Sequence, residues 1–150
     1  MQEMKTMDLN NVLKTTTPKQ VSGFLKENSN YMKSSDRSFY DYFTDVLKEK
    51  RIRLKDVYSF AGVDDSYGGQ IIRMEKHTVN RDLIIRLCIA GHFDLDELNR
   101  ALKLYGMNEL YAKEPRDVCL IIAVNNQIYD FGSIDNMLEE NGFKKITIDE

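Results

Sequence analysis

The stretch from residue 48 to residue 98 constrains the fold of this chain more than any other part. Short apolar stripes at helical spacing alternate there with residues that begin or end helices. The first stripe consists of Leu54, Val57, Tyr58 and Ala61. Gly62 follows it directly and is a typical C-terminal stop, while Asp64 or Asp65 can cap the next helix. The pattern predicts short helices joined by tight turns.

The helix that follows is predicted to have an apolar and a polar face. Helical spacing places Tyr67, Ile71 and Met74 on the inward face. The opposite, open face is formed by Ser66, Gly69, Gln70 and Arg73. After a polar loop, a further helix runs from Arg81 or Asp82 through Ala90. It is apolar nearly all round, so we expect it to be central.

The residues before this stretch predict two helices and a polar arm. Thr17, Pro18 and Gln20 have the spacing of a capping box with proline at the first helical position, which indicates a helix from Pro18 to about Glu27. A short helix is expected upstream, around residues 9–13, and residues 28–37 form a polar connector. The following helix, residues 38–50, carries an apolar stripe formed by Phe39, Phe43, Val46 and Leu47.

Three more helices are predicted in the C-terminal part, followed by a tail. Their expected starts and ends are Asp94 and Gly106, Pro115 and Val124, and Ser133 and Gly142. In the first of them Asp94 and Glu97 have capping-box spacing. Its expected inward residues are Leu95, Leu98, Leu102 and Tyr105. The tail from residue 144 onward is expected to be frayed or a short extended segment.

Residues 118–124 are apolar throughout and fit either a buried strand or a helix. An internal repeat favours the helix, because Arg81-Asp82 and Arg116-Asp117 begin two similar units. The units are aligned by pairing Ala90 with Ala123, residues 95–98 with 134–137, and Tyr105-Gly106-Met107 with Asn141-Gly142-Phe143. The two Arg-Asp motifs are open to two interpretations, a repeated ligand clamp or helix-start aspartates with arginines paired to neighbouring acids. We favour the second.

These signals predict one compact all-α domain of about seven helices. Residues 1–37 form an N-terminal arm and helix, and residues 38–106 form the core. Residues 107–150 form a helical hairpin packed on that core. Two copies of the repeated unit are too few for a solenoid, but they extend the core with a second hairpin.

The composition and motifs of the chain limit the classes of function that it can have. The net charge of the 150-residue chain is −3, so DNA binding would need a local basic patch. His77 and His92 have no partners at metal-ligand spacing, and the sequence holds no nucleophile elbow or phosphate loop. We therefore expect no enzyme, metal or cofactor. No signal core or membrane-length apolar run is found, which predicts a cytoplasmic protein without membrane partners. Cys88 and Cys119 are expected to be buried thiols.

Residues 39–105 resemble Cro/repressor-type (XRE-like) helix-turn-helix domains. The resemblance rests on residues 47–63, with a lysine-rich helix end, a short helix and a glycine-valine turn, and on residues 71–76 and 83–98. It implies a central helix-turn-helix of the lambda-repressor type. The departures from the family are Leu54, Tyr58, Asp64, Asp65 and a segment after Gly62 that is about three residues longer. Tyr58 is expected to push two helices apart, and the aspartates to repel phosphates.

The chain also resembles small stand-alone helical proteins of Gram-positive gut bacteria. The shared motifs are Tyr67-Gly68, Lys76-His77-Thr78, Arg81-Asp82, Leu110-Tyr111 and Arg116-Asp117. This second resemblance covers most of the chain. Proteins of this group have no settled function, and the resemblance implies a bacterial protein with a link to Ser/Thr kinase signalling.

The candidate functional residues follow from the open helix face and the loop after it. Ser66 and His77 belong to this surface, and Gln70 and Arg73 are expected to contact base edges in the major groove. Phosphate contacts are assigned to Lys76, Thr78 and Arg81, and an additional backbone-binding stripe to Lys48, Lys50, Arg51, Arg53 and Lys55. The predicted function is a DNA-binding transcriptional regulator, as a homodimer because such modules usually contact two half-sites. The alternative is a protein-interaction adaptor in bacterial signalling that keeps the fold without binding DNA.

The run Thr15-Thr16-Thr17 before Pro18 is open to two interpretations. Phosphorylation would add negative charge to a mobile arm and let it dock on basic residues. Alternatively, Thr17 is only the cap of the following helix. We favour the second interpretation, and phosphoproteomics on the native protein separates the two.

Overall fold

The computed structural model describes residues 6–27 and 38–148. All regular structure in these ranges is helical, which confirms the predicted all-α fold, with nine α-helices there against about seven predicted. The helices are α1 (Thr6–Leu13), α2 (Val21–Glu27), α3 (Phe39–Lys50), α4 (Leu54–Ala61), α5 (Asp65–Ile72), α6 (Arg81–Ala90), α7 (Leu95–Tyr105), α8 (Pro115–Asn125) and α9 (Phe131–Glu140). The chain divides into two compact units, Met1–Arg37 and Ser38–Glu150.

The N-terminal unit contains α1 and α2. The helix predicted from residue 18 to about residue 27 is present, but its first turn, Pro18–Gln20, is a 3₁₀ helix. The Gln20 side chain accepts a hydrogen bond from the Thr17 amide at 2.9 Å, as the capping spacing predicts. The polar connector predicted for residues 28–37 lies outside the described residues.

The second unit is organised around α6. Ser38 caps α3 by accepting a hydrogen bond from the Asp41 amide at 3.1 Å, and the predicted apolar stripe of α3 is buried. α4 packs on α6, and α3 packs on α7. Residues 83–90 of α6 are all buried, including Arg86, which confirms that this helix is central.

α4 and α5 lie close together because a glycine faces a tyrosine. A Cβ atom built on Gly68 would lie 2.6 Å from Cδ1 and 2.7 Å from Cε1 of Tyr58, and both residues are buried. The expectation that Tyr58 pushes the two helices apart is therefore wrong. The large side chain on α4 is compensated by the missing side chain on α5.

Gly68→Ala is expected to lower the free energy of unfolding by about 2 kcal/mol, because a new methyl group must displace the buried Tyr58 ring. The higher helix propensity of alanine offsets about 1 kcal/mol of a larger steric cost. Urea denaturation measures the difference. Gly23→Ala is the matched control, since no atom lies within 4 Å of its built Cβ, and it should not destabilise. If Gly68→Ala costs the same with Tyr58→Ala already present, the ring contact is not the cause.

The helices after α6 follow the predicted order with one corrected start. α8 runs from Pro115 to Asn125, so residues 118–124 are helical and not a strand. The capping box of Asp94 and Glu97 is confirmed by hydrogen bonds of 2.8 and 2.9 Å. The prediction that Ser133 caps α9 is wrong. Asp130 caps it by accepting a hydrogen bond from the Ser133 amide at 3.0 Å, and the helix begins two residues before Ser133.

The hairpins α6–α7 and α8–α9 are built on one pattern. Four pairs of equivalent positions show it: Cys88 and Ala123, His92 and Gln127, Asp94 and Asp130, and Gly106 and Gly142. The carbonyls of Cys88 and Ala123 accept the hydrogen bond that closes each turn, and Asp94 and Asp130 cap the helix that follows. His92, Gln127 and the two glycines have positive φ. The offset is 35 residues in the first helix and 36 in the second. The predicted pairing of Gly106 with Gly142 is correct. The predicted pairing of Ala90 with Ala123 is displaced by two residues, and that of residues 95–98 with 134–137 by three.

Two reciprocal ion pairs join the hairpins. The guanidinium of Arg81 donates two hydrogen bonds of 2.9 Å to Asp117, and Arg116 donates two of 2.9 Å to Asp82. Each arginine also donates to carbonyls after its own hairpin, at residues 108–109 and 144–145. Each arginine therefore pairs with the aspartate of the other Arg-Asp motif and not with an acid nearby in sequence.

The segment after α9 is packed at Ile146, so of the two forms expected for the tail the frayed one is wrong for residues 144–148. Ile146 is fully buried, its amide donates to Asp135 at 2.7 Å, and its carbonyl accepts a hydrogen bond from Arg86 at 3.1 Å. Leu110 occupies the equivalent place after the first hairpin, where its amide donates to Asn99 at 2.9 Å. One buried aliphatic residue therefore closes the end of each hairpin.

Candidate nucleic-acid interface

α5 begins after Asp64, whose carboxylate accepts a hydrogen bond from the Tyr67 amide at 3.1 Å. Its buried residues are Gly68, Gly69, Ile71 and Ile72. Tyr67 and Met74 are each 40% exposed, so the expectation that they face inward with Ile71 is wrong. Gly68 brings the backbone of α5 against Tyr58 of α4, and Met74 lies beyond the end of α5 with a positive φ of 61°. The resulting open surface consists of Asp65, Ser66, Tyr67, Arg73 and Met74, with Gln70 half-buried.

Arg73, the residue at the end of α5, is engaged by a nearby acid. Its Nε donates to Glu75 Oε1 at 3.0 Å and its Nη2 to Oε2 at 3.4 Å. This hydrogen bonding raises the pKa of Arg73 and lowers the pKa of Glu75. A Cβ on Gly69 would lie 2.9 Å from the guanidinium of Arg73, so the missing side chain there leaves room for it. Residues 64–76 carry three carboxylates and two cations, which makes this surface slightly acidic.

The loop between α5 and α6 exposes some candidate residues and buries one. Lys76 and His77 are exposed, and the His77 ring stacks on Tyr105 with centroids 5.0 Å apart. Thr78 is buried, its amide donates to the Tyr105 hydroxyl at 3.1 Å, and its own hydroxyl accepts from the Asn80 amide at 3.0 Å. Burial raises the pKa of the Tyr105 hydroxyl. Thr78 therefore fixes the loop on α7 and leaves Lys76 and His77 to face solvent.

The Arg81 side chain lies at the junction between the two hairpins and is hydrogen-bonded there. Its side chain is 28% exposed, and its guanidinium is divided between Asp117 and the carbonyls of residues 108–109. Burial raises the pKa of Asp117, but hydrogen bonds from Arg81 and the Tyr111 amide outweigh it, and the net pKa lies below the usual value. The structure thus gives Arg81 a packing role that its sequence position did not reveal.

The turn between α3 and α4 forms a basic segment. Residues 48–56 hold five cations, Lys48, Lys50, Arg51, Arg53 and Lys55, against the carboxylates of Glu49 and Asp56. Arg53 is highly exposed and donates to Asp56 at 3.0 and 3.3 Å, and Lys50 pairs with Glu97 at 2.9 Å. Lys48, Arg51 and Lys55 are exposed. Because α5 packs on both α3 and α4, this basic turn connects the two helices that support the open α5 surface.

The threonines of the N-terminal unit lie at the end of α1. The hydroxyls of Thr15 and Thr16 donate to the Val12 carbonyl at 3.2 and 2.9 Å, and Thr17 precedes the 3₁₀ turn. Thr15 and Thr17 are exposed and Thr16 is half-buried. Their hydroxyls and amides therefore act locally as helix-end hydrogen-bonding groups.

A cleft that the sequence did not reveal lies beside the turn between α4 and α5. It has a volume of about 660 Å³, and its walls come from that turn, from residues 78–83 and from the C-terminal segment. Asp64, Asp82, Arg86 and Lys144 line it, so both signs of charge are present. This cleft could not be predicted from the sequence, because its walls lie far apart along the chain and meet only in the folded structure.

The described residues contain no cluster of three or more potential metal ligands and no helix long and apolar enough to cross a membrane. Cys88 and Cys119 are buried as expected, and burial raises the pKa of the Cys88 thiol. Comparison with protein-family models, curated proteins and solved structures finds no match.

Proposed function

We propose that the protein is a non-enzymatic helix-turn-helix regulator that binds DNA through α5. The proposal is supported by two short helices, α4 and α5, that are joined by a tight turn at Gly62, whose backbone is left-handed with φ 70°. The observation that carries the proposal is the basic α3–α4 turn, which joins the two helices that hold α5. Phosphate contacts supply most of the affinity of such modules for DNA.

The proposed contacts follow the exposure of each side chain. Ser66, Gln70 and Arg73 contact base edges, since they lie on or beside the open surface of α5. Phosphates are contacted by Arg53, Lys55, Lys76 and His77, together with the exposed Lys48 and Arg51. Thr78 and Arg81 position the loop and the hairpins and do not contact DNA themselves. Two half-sites would be bound by a homodimer in the cytoplasm.

The acidic groups on this surface set the expected strength of binding. Asp64, Asp65 and Glu75 would each face phosphate charge, so binding is expected to be weak above physiological salt. Glu75→Gln removes one of these charges and releases Arg73 from its ion pair. We expect it to raise the affinity for a generic DNA duplex about tenfold at about 50 mM salt.

Fluorescence anisotropy with a labelled duplex measures this effect. Glu109→Gln is the matched control, because it breaks the exposed ion pair with Lys103 on another part of the surface and should leave the affinity unchanged. An unchanged affinity of Glu75→Gln, or an equal gain in both variants, would contradict the role of Arg73.

The second candidate function is a protein-interaction adaptor in bacterial signalling, with a Ser/Thr kinase pathway as its setting. The Arg73–Glu75 ion pair and the aspartates at the start of α5 favour it, because they neutralise the surface that would enter the groove. Retention of the full chain on a generic-DNA column at about 50 mM salt separates the two functions. Complete flow-through there supports the adaptor.

A further inference from the structure

Two of the large side chains on the open surface of α5 have apolar bodies. Tyr67 and Met74 are each 40% exposed. Tyr67 lies three residues before the half-buried Gln70, and residues with this spacing are neighbours on the surface of a helix. Met74 follows the end of α5, four residues after Gln70. Gln70 therefore lies between two exposed apolar side chains along this surface.

These side-chain types match the major-groove edge of A·T base pairs. The amide of a glutamine makes two hydrogen bonds with adenine, at N6 and N7. Thymine presents a methyl group at C5, which apolar side chains contact and which cytosine lacks. Gln70 with Tyr67 and Met74 on either side therefore offers an adenine contact next to thymine-methyl contacts.

The side chain suited to guanine is engaged by a carboxylate. Arginine binds O6 and N7 of guanine with two donors at once. In this structure Nε and Nη2 of Arg73 donate to the two carboxylate oxygens of Glu75, at 3.0 and 3.4 Å. A guanine contact through this edge of Arg73 has to break the ion pair, whereas an adenine contact by Gln70 does not. Ser66, the other proposed base contact, accepts either kind of base pair.

The carboxylates at the start of α5 do not reverse this preference. Asp64 caps the helix and accepts a hydrogen bond from the Tyr67 amide at 3.1 Å. Asp65 is exposed, and a carboxylate can accept a hydrogen bond from N4 of cytosine. Phosphate repulsion opposes the approach of Asp65 to DNA, but it does not act on the uncharged side chains of Tyr67 and Gln70.

We infer that the open surface of α5 selects A·T base pairs, through hydrogen bonds from Gln70 to adenine and apolar contacts of Tyr67 and Met74 with thymine methyl groups. The inference rests on the proposed binding of DNA through α5, because it assigns the kind of base pair that this surface contacts. The basic α3–α4 turn supplies affinity without sequence preference, and these three side chains supply the preference.

Three labelled duplexes of about 20 base pairs, long enough for two half-sites, test the inference by fluorescence anisotropy with the full chain at about 50 mM salt. The first contains only A·T pairs and the second only G·C pairs. The third has deoxyuridine in place of every thymidine of the first, so it keeps the pairing and the charge but lacks the methyl groups. We expect the A·T duplex to bind about tenfold more tightly than the G·C duplex. The deoxyuridine duplex should bind about fourfold more weakly than the A·T duplex.

Three variants of the protein assign these differences to side chains. Tyr67→Ser should reduce the difference between the A·T and deoxyuridine duplexes, because it removes one of the two apolar contacts. Tyr111→Ser is the matched control, since its side chain is 58% exposed and lies outside α5, and it should leave this difference unchanged. Glu75→Gln releases Arg73 and should raise the affinity for the G·C duplex more than that for the A·T duplex.

Three results would overturn the inference and leave the proposed function standing. Equal binding of the A·T and G·C duplexes would show that the protein binds DNA without selecting base pairs. An A·T preference that is unchanged in the deoxyuridine duplex would show that DNA shape carries it and not the methyl groups. A G·C preference that Asp65→Asn removes would show cytosine contacts by Asp65 instead. Undetectable binding of all three duplexes would contradict the proposed function itself and the inference with it, so the two failures are distinguishable.

Discussion

Asp117→Asn is expected to lower the free energy of unfolding of the second unit by about 3 kcal/mol. The change keeps the shape of the side chain but leaves the partly buried guanidinium of Arg81 facing an uncharged amide. It also weakens the hydrogen bond from the Tyr111 amide, now 2.9 Å from Asp117. The reciprocal pair of Arg116 and Asp82 shares the same junction, so both hairpins lose support together. Urea denaturation followed by circular dichroism measures the loss.

Asp56→Asn is the matched control for this prediction. It breaks the ion pair with Arg53, whose side chain is 76% exposed, and pairs of this kind contribute at most about 1 kcal/mol. Equal losses in the two variants would contradict a special role for the crossed pairs. Replacing both partners, as in Arg81→Met with Asp117→Leu, should recover part of the stability, because no buried charge is then left alone.

The contribution of Asp117 also has a defined pH dependence. Because its pKa in the folded protein is below the usual value, the ionised form is favoured by folding. Its stabilisation is fully present above the unfolded pKa of about 3.9 and is lost as the pH falls through the folded pKa. The difference in stability between wild type and Asp117→Asn should therefore stay constant near neutral pH and shrink below about pH 4.

Ile146→Ala is expected to lower the free energy of unfolding by about 3 kcal/mol, because the residue is fully buried and closes the second hairpin. A frayed tail would predict almost no effect. Ile148→Ala, two residues further on, is the matched control. Its side chain is 47% exposed, and the change should cost less than about 1 kcal/mol. Similar small losses in both variants would show that the segment after α9 does not belong to the core.

Much of the fold could be predicted because many helix starts and ends depend on residues within one helical turn of each other. The stops at Gly62 and Gly106 and the capping box of Asp94 with Glu97 depend only on residues a few positions apart, so their sequence spacing is sufficient. The start of α9 was harder because Asp130 and Ser133 can both cap a helix. The carboxylate accepts the bond from the Ser133 amide, and the helix therefore begins earlier than predicted.

Features that depend on partners far apart in sequence could not be predicted in the same way. Tyr58 alone indicates a clash, and only its contact with Gly68, ten residues later, shows how the clash is avoided. The Arg-Asp motifs indicated a repeat, but periodicity does not determine that each arginine takes the aspartate of the other copy. The candidate DNA surface has a different limit. Arg73 and Glu75 are only two residues apart, but their pairing depends on where the end of α5 places both side chains.

The salt dependence of binding to a generic duplex tests the proposed function most directly. We count Lys48, Arg51, Lys55 and Lys76 as full phosphate contacts, because Arg53 is paired with Asp56, and these four contacts predict a slope of about −3.6 in a plot of log affinity against log salt. Lys48→Gln, Arg51→Gln and Lys55→Gln together should reduce the magnitude of the slope by about 2.7, whereas Lys103→Gln, Lys113→Gln and Lys145→Gln together should leave it unchanged. Undetectable binding of the wild type at about 50 mM salt, or equal slopes in the two triple variants, would contradict DNA binding through this surface.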